Sequence, residues 1–296
     1  MLKKIQSLKT GDEIAIVSTA RKINKDEIAL AIKLFESWGL IVKLGNTIGL
    51  AYHQFAGTDQ QRAMDFQQML DNKNIKAIIC ARGGYGTVRI LDFLDFTQFN
   101  LNPKWIVGYS DVTILHAHIN TYLGYQTLHA TMPINFENNT KESINSLKSA
   151  LFGKTYHINF KTRKESILAN TEGIIVGGNL SILYSILGTK SGINTDNKIL
   201  FIEDLDEYLY HIDRMMMALK RAGKLSKLKA LLVGGMTKMN DNTIPYGKTA
   251  EEIVLEHSKE FGYPVIFDVP AGHITDNRAL IFKKKVKIEC ENDKVK

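Results

Sequence analysis

A short apolar run, Trp105 to Val107, passes through Gly108 and Tyr109 to Ser110 and Asp111. A helical repeat of Val112, Leu115, Ile119 and Leu123 starts at once and stops at Gly124. Few backbones accept that pattern. The chain must leave a strand, turn sharply and enter a helix within a few residues. Such a turn lifts a serine hydroxyl off the sheet and sets the free N–H groups of a helix's first turn beside it, where they suit a developing oxyanion. The usual nucleophile turn has a second Gly two residues after the serine, and here that position is Val112. For these residues taken alone, capping of the helix by Ser110 or Asp111 is the simpler account.

The same alternation recurs along the chain. Gly11 to Thr19 is a turn and a short apolar strand. Asn24 with Glu27 makes a capping-box-like start, Ile28, Ala31, Ile32, Phe35 and Trp38 repeat at helical spacing, and Gly39 ends the run before a strand at Leu40 to Leu44. The first β-α-β unit is complete by residue 45. Thr58 or Asp59 caps a helix bearing Ala63, Phe66, Met69 and Leu70, and Ile75 to Cys80 is a strand that ends in Ala81-Arg82-Gly83-Gly84-Tyr85-Gly86-Thr87 before a helix at Val88 to Leu94. A Gly-rich strand-to-helix loop lets backbone N–H groups approach an anion or a carbonyl oxygen. This one lacks the third Gly of a dinucleotide fingerprint and the Gly-Lys-Ser/Thr of a phosphate loop, and a loop that only turns sharply is an equal account of it. A short strand near Gln126 to His129 follows.

From Ile134 to about Thr171 the character changes: Asn and Lys rise, with a weak helix at Glu142 to Phe152 and a polar strand at Tyr156 to Phe160. This predicts an N-terminal α/β domain over 1–140, a linking region over 141–171 and a C-terminal domain over 172–296. The second half reads as a strand at Gly173 to Val176, Gly177-Gly178-Asn179, a helix at Leu180 to Leu187, and a strand at Lys198 to Ile202 running into Glu203-Asp204. A long helix from Leu209 to Ala222, a strand at Ala230 to Val233, a helix at Lys248 to Phe261 and a strand at Val265 to Val269 follow, the last leading into Pro270-Ala271-Gly272-His273. A final strand pair covers Ala279 to Phe282 and Val286 to Glu289.

Composition narrows the function classes. The 296 residues are 44% hydrophobic and 23% charged, an ordinary globular balance with room for a large core. No segment approaches the roughly 18 apolar residues that cross a bilayer, and the N-terminal residues show no leader-like run, so the expectation is a cytoplasmic protein without membrane contact. Two cysteines, Cys80 and Cys290, make neither a disulfide framework nor a zinc site, and no residue set suggests a metal or other cofactor. The net charge of +7 comes partly from tail lysines and otherwise from lysines mixed with acids on helix faces, so a solvated surface outweighs a nucleic-acid interface.

In parallel sheets, sites form beyond the carboxyl ends of the strands. Four polar features fall there: the Arg82–Gly86 loop, Ser110, Glu203 and His273. A serine nucleophile needs a base, usually a histidine held by a carboxylate. His273 sits in a Gly-flanked loop after a strand, while His129 ends a short strand and competes with it. His116 and His118 lie on the helix after Ser110 and are poorly placed to reach back. Among the acids after one strand, Asp206 suits a helix cap and Glu203 is nearest the strand end.

Together these blocks resemble the LD-carboxypeptidases, serine peptidases that include muramoyl-tetrapeptide carboxypeptidases and microcin-C immunity peptidases. Arg82-Gly83-Gly84-Tyr85-Gly86, Gly108-Tyr109-Ser110-Asp111, Gly177-Gly178-Asn179-Leu180, Phe201-Ile202-Glu203-Asp204 and Gly272-His273 match the family's blocks in order, from about Gly11 to Ile288. The resemblance implies an N-terminal Rossmann-like domain with a parallel sheet, similar to class I amidotransferases, and a smaller β-rich α/β C-terminal domain. It also implies Ser110 as nucleophile, His273 as base, Glu203 as its orienting carboxylate, and the N–H groups of Gly84 and Asp111 as the oxyanion hole. Arg82, Tyr85 and Asn179 would touch substrate, Arg82 either holding the free carboxylate or bracing the loop. The implied reaction is release of a C-terminal D-amino acid from murein tetrapeptide, by a homodimer, without cofactor. The alternatives are cleavage of a peptidyl-nucleotide, or a two-domain ligand-binding module without catalysis. One departure is Ile281-Phe282-Lys283-Lys284-Lys285, where the family pattern leads one to expect a Gly before the last strand.

Overall fold

The structure is a computed structural model that describes residues 3–296. The first half alternates as the sequence predicts: β1 Glu13–Val17, α1 Ala29–Ser37, β2 Ile41–Leu44, α2 Asp59–Asp71, β3 Ile75–Cys80, α3 Thr87–Ile90, α4 Thr97–Leu101, β4 Trp105–Gly108, α5 Thr113–His118 and β5 Thr127–His129. These five strands are parallel, and nearly every side chain of β3 and β4 is buried, as expected of strands covered on both faces. Helix starts follow local chemistry. Thr58 and Gln61 form a full capping box on α2. At Asn24 only half a box forms, its N–H bonded to Glu27 Oε2, and a 3₁₀ turn over Asp26–Ile28 precedes α1. Ahead of α5, a 3₁₀ turn over Ser110–Val112 is the helix entrance, and a π-helical turn closed by Gly124 in the left-handed region (φ 82°) is its exit.

Helix α6, Lys141–Leu151, joins the two halves and packs on the first: Leu147 and Leu151 belong to its core, and Leu8 N–H bonds Leu151 O. After the two-residue β6, Phe160–Lys161, come β7 Thr171–Asn179, α7 Leu180–Ser185, β8 Lys198–Leu205, α8 Leu209–Arg221, β9 Ala230–Thr237, α9 Ala250–Ser258 and β10 Val265–Ile266. β7 to β10 form a second parallel sheet, in the order β10-β9-β8-β7. The chain ends in β11 Leu280–Phe282, β12 Lys285–Ile288, β13 Cys290–Glu291 and β14 Lys294–Val295. The protein is thus α/β throughout, with one six-stranded sheet built from the five strands of the first half and β11, and a second, five-stranded sheet built from β7 to β10 and β12.

Two expectations are corrected. β11 and β12 do not pair with each other. β11 runs antiparallel on β5 and closes the edge of the first sheet, whereas β12 runs antiparallel on β7 in the second. The switch occurs at Lys283, whose φ is 66°, in the stretch where the family pattern led us to expect a glycine. The strand expected over Tyr156 to Phe160 is reduced to β6. Ile158, outside any strand, and Phe160, paired with Val295 of β14, lay their side chains on the apolar cluster of Ile175, Phe201, Leu232 and Phe282.

Candidate active site

The four features expected at strand ends meet at the carboxyl edges of the two sheets. Ser110 follows β4 and is held at φ 63°, a left-handed conformation that a non-glycine residue adopts only when its surroundings impose it. Two neighbours impose it. Gly108 turns at φ 155°, where a Cβ would meet Val112 Cγ2 at 2.8 Å, and its carbonyl accepts from Ala130 N–H. His116, fully buried, lies 2.8 Å by Nε2 from the same carbonyl; as the carbonyl can only accept, Nε2 carries the proton. Burial pushes the pKa of that imidazole down to about 4, against the pull of the Gly108 bond, so it is neutral.

His273 comes to Ser110 from the other half of the chain. Its Nε2 lies 3.1 Å from Ser110 Oγ, and its Nδ1 lies 2.6 Å from Glu203 Oε2. Glu203 is completely buried near the end of β8, at an irregularity in its register with β9, and its Oε2 also accepts the His273 backbone N–H at 3.2 Å. One carboxylate oxygen therefore fixes both the ring and the backbone that carries it. Gly272 makes this approach possible: at φ 101° a Cβ would stand 2.7 Å from Glu203 Oε2. Asn277 Oδ1 accepts the Gly272 N–H at 2.9 Å, and Thr237 Oγ1 donates to His273 O at 3.2 Å. Burial alone would lower the His273 pKa, but the charge and hydrogen bond of Glu203, with the charge of Asp204, outweigh it and leave the imidazole above its ordinary value.

Asp204 points to the other side of β8. It accepts from Asn179 Nδ2, Ser181 N–H and Leu205 N–H, yet burial first and the Glu203 charge second push its pKa up to about 7. Asn179 is spent on the same junction: its Oδ1 accepts from Ile182 N–H and Ser181 Oγ, capping α7. Its polar side-chain atoms thus serve the fold.

The Gly-rich loop lies against the serine. A Cβ on Gly83 would stand 3.0 Å from Ser110 Cβ and 3.1 Å from its Oγ. Gly84, at φ 118°, is an exposed residue whose N–H has no acceptor among the described residues. Asp111 is buried, and its Oδ2 accepts the Thr87 N–H at 2.8 Å, tying the loop's far end to the serine turn. Burial raises the Asp111 pKa despite the Thr87 bond and the Arg62 charge. Tyr85 is half exposed at the loop tip, 6.3 Å between ring centroids from Phe55. Arg82 Nη1 donates to Lys22 O at 3.2 Å.

Sequence reasoning missed Arg62. It is fully buried under the loop, donates through Nη1 to Thr19 O and to Gly86 O at 2.9 Å, and pairs with Asp59, which Arg89 also grips. An arginine on a helix face reads as solvent-facing, and no local signal separates this one. His129, the competing histidine, has no contact with Ser110. It is fully buried among Tyr109, Phe201 and Phe282, with neither ring nitrogen paired among the described residues, and burial above all, with electrostatic interaction with His116 and His273 behind it, drives its pKa well below the ordinary range. Tyr109 packs its ring 4.8 Å from that of His273. Among the described residues no group of three or more His, Cys, Asp or Glu could hold a metal ion, and no helix is long and apolar enough to cross a membrane.

Two family models match the chain, the LD-carboxypeptidase N-terminal domain over residues 14–130 and the LD-carboxypeptidase C-terminal domain over 172–288. The chain belongs to the LD-carboxypeptidase family. It is a serine-type carboxypeptidase by that membership. It is 32% identical over 288 residues to a Bacillus subtilis (strain 168) protein named "Probable murein peptide carboxypeptidase", covering 94% of this chain and 88% of that one. It is 28% identical to the Microcin C7 self-immunity protein MccF of Escherichia coli, covering 77% and 76%. The crystal structure of muramoyltetrapeptide carboxypeptidase from Oxalobacter formigenes superposes with a TM-score of 0.83 at 24% identity, over 96% of this chain and 97% of that one, which establishes the shared fold.

Proposed function

We propose that this carboxypeptidase hydrolyses the bond between an L-centre and a terminal D-amino acid in murein tetrapeptides, releasing D-Ala, through an acyl-enzyme on Ser110. The observation that carries the reading is the hydrogen-bonded run Ser110–His273–Glu203, at 3.1 and 2.6 Å, in a chain of this family. Ser110 Oγ attacks the carbonyl carbon while His273 Nε2 takes its proton. Glu203 keeps the Nδ1 proton in place and stabilises the imidazolium that forms. The Gly84 and Asp111 N–H groups receive the oxyanion, each worth about a hundred- to a thousandfold in rate. The tetrahedral adduct collapses as His273 returns the proton to the leaving D-Ala nitrogen. Water, deprotonated by the same imidazole, then releases the L-centre acid and restores the Ser110 hydroxyl.

Murein tetrapeptide as substrate, and with it a role in cell-wall peptide recycling, is supported by the names of the similar proteins and by the family. Incubation with murein tetrapeptide, with and without chelator, releases D-Ala in the parent and none after Ser110→Ala. No release from the parent, or equal release from the variant, refutes the reading. Sedimentation of the purified protein tests the expected homodimer.

The relation to MccF supports a second reading, cleavage of a peptidyl-nucleotide. Exposed Tyr52 and Tyr85, with Phe55 between them in the same loop cluster, offer rings on which a base could stack. Competition between the two substrates for one Ser110-dependent activity decides between them.

A further inference from the structure

A carboxypeptidase has to grip the free carboxylate of its substrate, and that group has a fixed place. It lies one residue beyond the scissile carbonyl, about 3.5 Å from the carbonyl carbon. A cation that binds it must therefore stand beside the oxyanion hole. Of the arginines around the Gly-rich loop, Arg62 is committed to Gly86 O and Asp59, and Arg89 to Asp59, which leaves Arg82 and Arg21. Arg82, on the loop itself, is engaged: its Nη1 donates to Lys22 O at 3.2 Å, and its Nε is buried without a partner. That bond holds the loop against the segment after β1, and this segment carries the second arginine, Arg21.

The Arg21 backbone is fixed on both sides. Ser18 Oγ donates to its carbonyl at 2.6 Å, and the residue forms a β-bridge with Phe55. Its side chain is exposed and makes no ion pair among the described residues. It runs across the open face of Gly84: a Cβ built on Gly84 would stand 2.6 Å from both Arg21 Cγ and Cδ and 2.9 Å from Nε. The uncommitted guanidinium thus begins directly over the residue whose N–H faces the reacting carbonyl in the reading above.

We propose that Arg21 binds the terminal carboxylate of the substrate, and so makes this enzyme an exopeptidase. The inference rests on the hydrolase reading of Ser110 and adds a specificity residue to it. Two demands then make residue 84 a glycine: its φ of 118°, and the space that the Arg21 stem occupies. A guanidinium holds a carboxylate through two parallel N–H···O bonds, a geometry that lysine lacks. A peptide that continues past the bond offers a neutral amide at this place, leaves the cation unpaired and loses affinity. Arg82 acts through Arg21 by bracing its segment.

The test uses the full-length chain carrying Ser110→Ala, which binds without turning over. Calorimetry with a D-Ala-terminated tetrapeptide and with its C-terminal amide gives a ratio of affinities. The free acid is expected to bind about ten- to a hundredfold tighter than the amide. Adding Arg21→Gln brings the ratio close to one by weakening the acid alone, and Arg21→Lys keeps part of it. A ratio that survives Arg21→Gln overturns the proposal, as does a ratio that Arg82→Gln abolishes while Arg21→Gln does not. Arg21 is exposed, so the melting temperature of its variants should match the parent and excludes misfolding as the cause. D-Ala release by the parent is measured separately. If none occurs while the ratio behaves as expected, the hydrolase reading falls and the carboxylate site stands. Release with a ratio indifferent to Arg21 has the opposite meaning.

Discussion

Replacing Glu203 by glutamine isolates the contribution of one charge to the proposed chemistry. The substitution is isosteric, and the amide oxygen can still accept the Nδ1–H and backbone N–H bonds that Glu203 Oε2 now accepts at 2.6 and 3.2 Å. What is lost is the attraction between a carboxylate and the imidazolium that forms during attack. With charge centres about 4 Å apart and an effective dielectric constant of about 20, that attraction is about 4 kcal/mol, and Glu203 is completely buried, so water screens little of it. At 1.4 kcal/mol for each tenfold, kcat falls by about a thousandfold. KM changes little, because the carboxylate lies behind the imidazole, away from Ser110. The assay is D-Ala release under saturating tetrapeptide, with the melting temperature as a control on folding. A variant that keeps kcat within about tenfold of the parent, while Ser110→Ala is inactive, would refute the assignment of Glu203 to the reaction.

The same pair governs pH dependence. His273 must be neutral to accept the serine proton and its pKa is raised, so kcat/KM should rise with pH along a limb centred above the ordinary histidine value of 6.5. In Glu203→Gln that limb moves to lower pH, because burial then dominates; a limb that stays in place counts against the pairing. Gly272→Ala puts a methyl 2.7 Å from Glu203 Oε2 at a φ of 101°, costs about 2 kcal/mol and lowers activity more than the melting temperature suggests. Lys104, buried at the start of β4, donates its three protons to Met69 O, Leu70 O and Asn72 O at the end of α2. Lys104→Met leaves those carbonyls without a donor and should cost about 3 kcal/mol in denaturant unfolding, with kcat unchanged. Lys283→Gly relieves a left-handed lysine at φ 66° and should raise stability by about 0.5 kcal/mol once the greater freedom of unfolded glycine is counted.

What was legible in the sequence was local. Strand runs, helix starts such as Thr58 and the sharp turn at Ser110 are written in neighbouring residues, and the structure keeps them. Partners across the chain are not written there. Ala279 to Phe282 and Val286 to Glu289 read alike as adjacent strands, and nothing in them states that one belongs to each sheet. Arg62 and Arg21 have the same local signature, a charged residue among polar ones. One is fully buried and bonded to backbone carbonyls, and the other lies exposed over Gly84. The grouping of Ser110, Glu203 and His273 followed from the strand-end rule and the family resemblance together. Spacing alone left His129 in contention until its burial without polar partners was seen.

The strand that the sequence mispaired explains why the two halves meet so closely. β11 pairs Leu280 with His129, and in the neighbouring pair His129 stands opposite Gly108, two residues before Ser110. His273 lies just upstream of β11. The loop between them is anchored at one end by the bond from Gly235 N–H to Ala271 O, 3.0 Å, on β9, and at the other by β11 in the first sheet. In between, Thr275 O accepts from Thr140 N–H and Asn139 Nδ2. The His273 ring is therefore tied to the Ser110 turn by a strand shared between the halves. Sites held by strands are more precise than sites on free loops, and here Ser110 and His273 already stand 3.1 Å apart. Breaking the β11 ladder, for instance with Ile281→Pro, should lengthen the Ser110–His273 contact and abolish turnover while leaving the second sheet folded. Retained activity in such a variant would show that the shared strand does not set the distance.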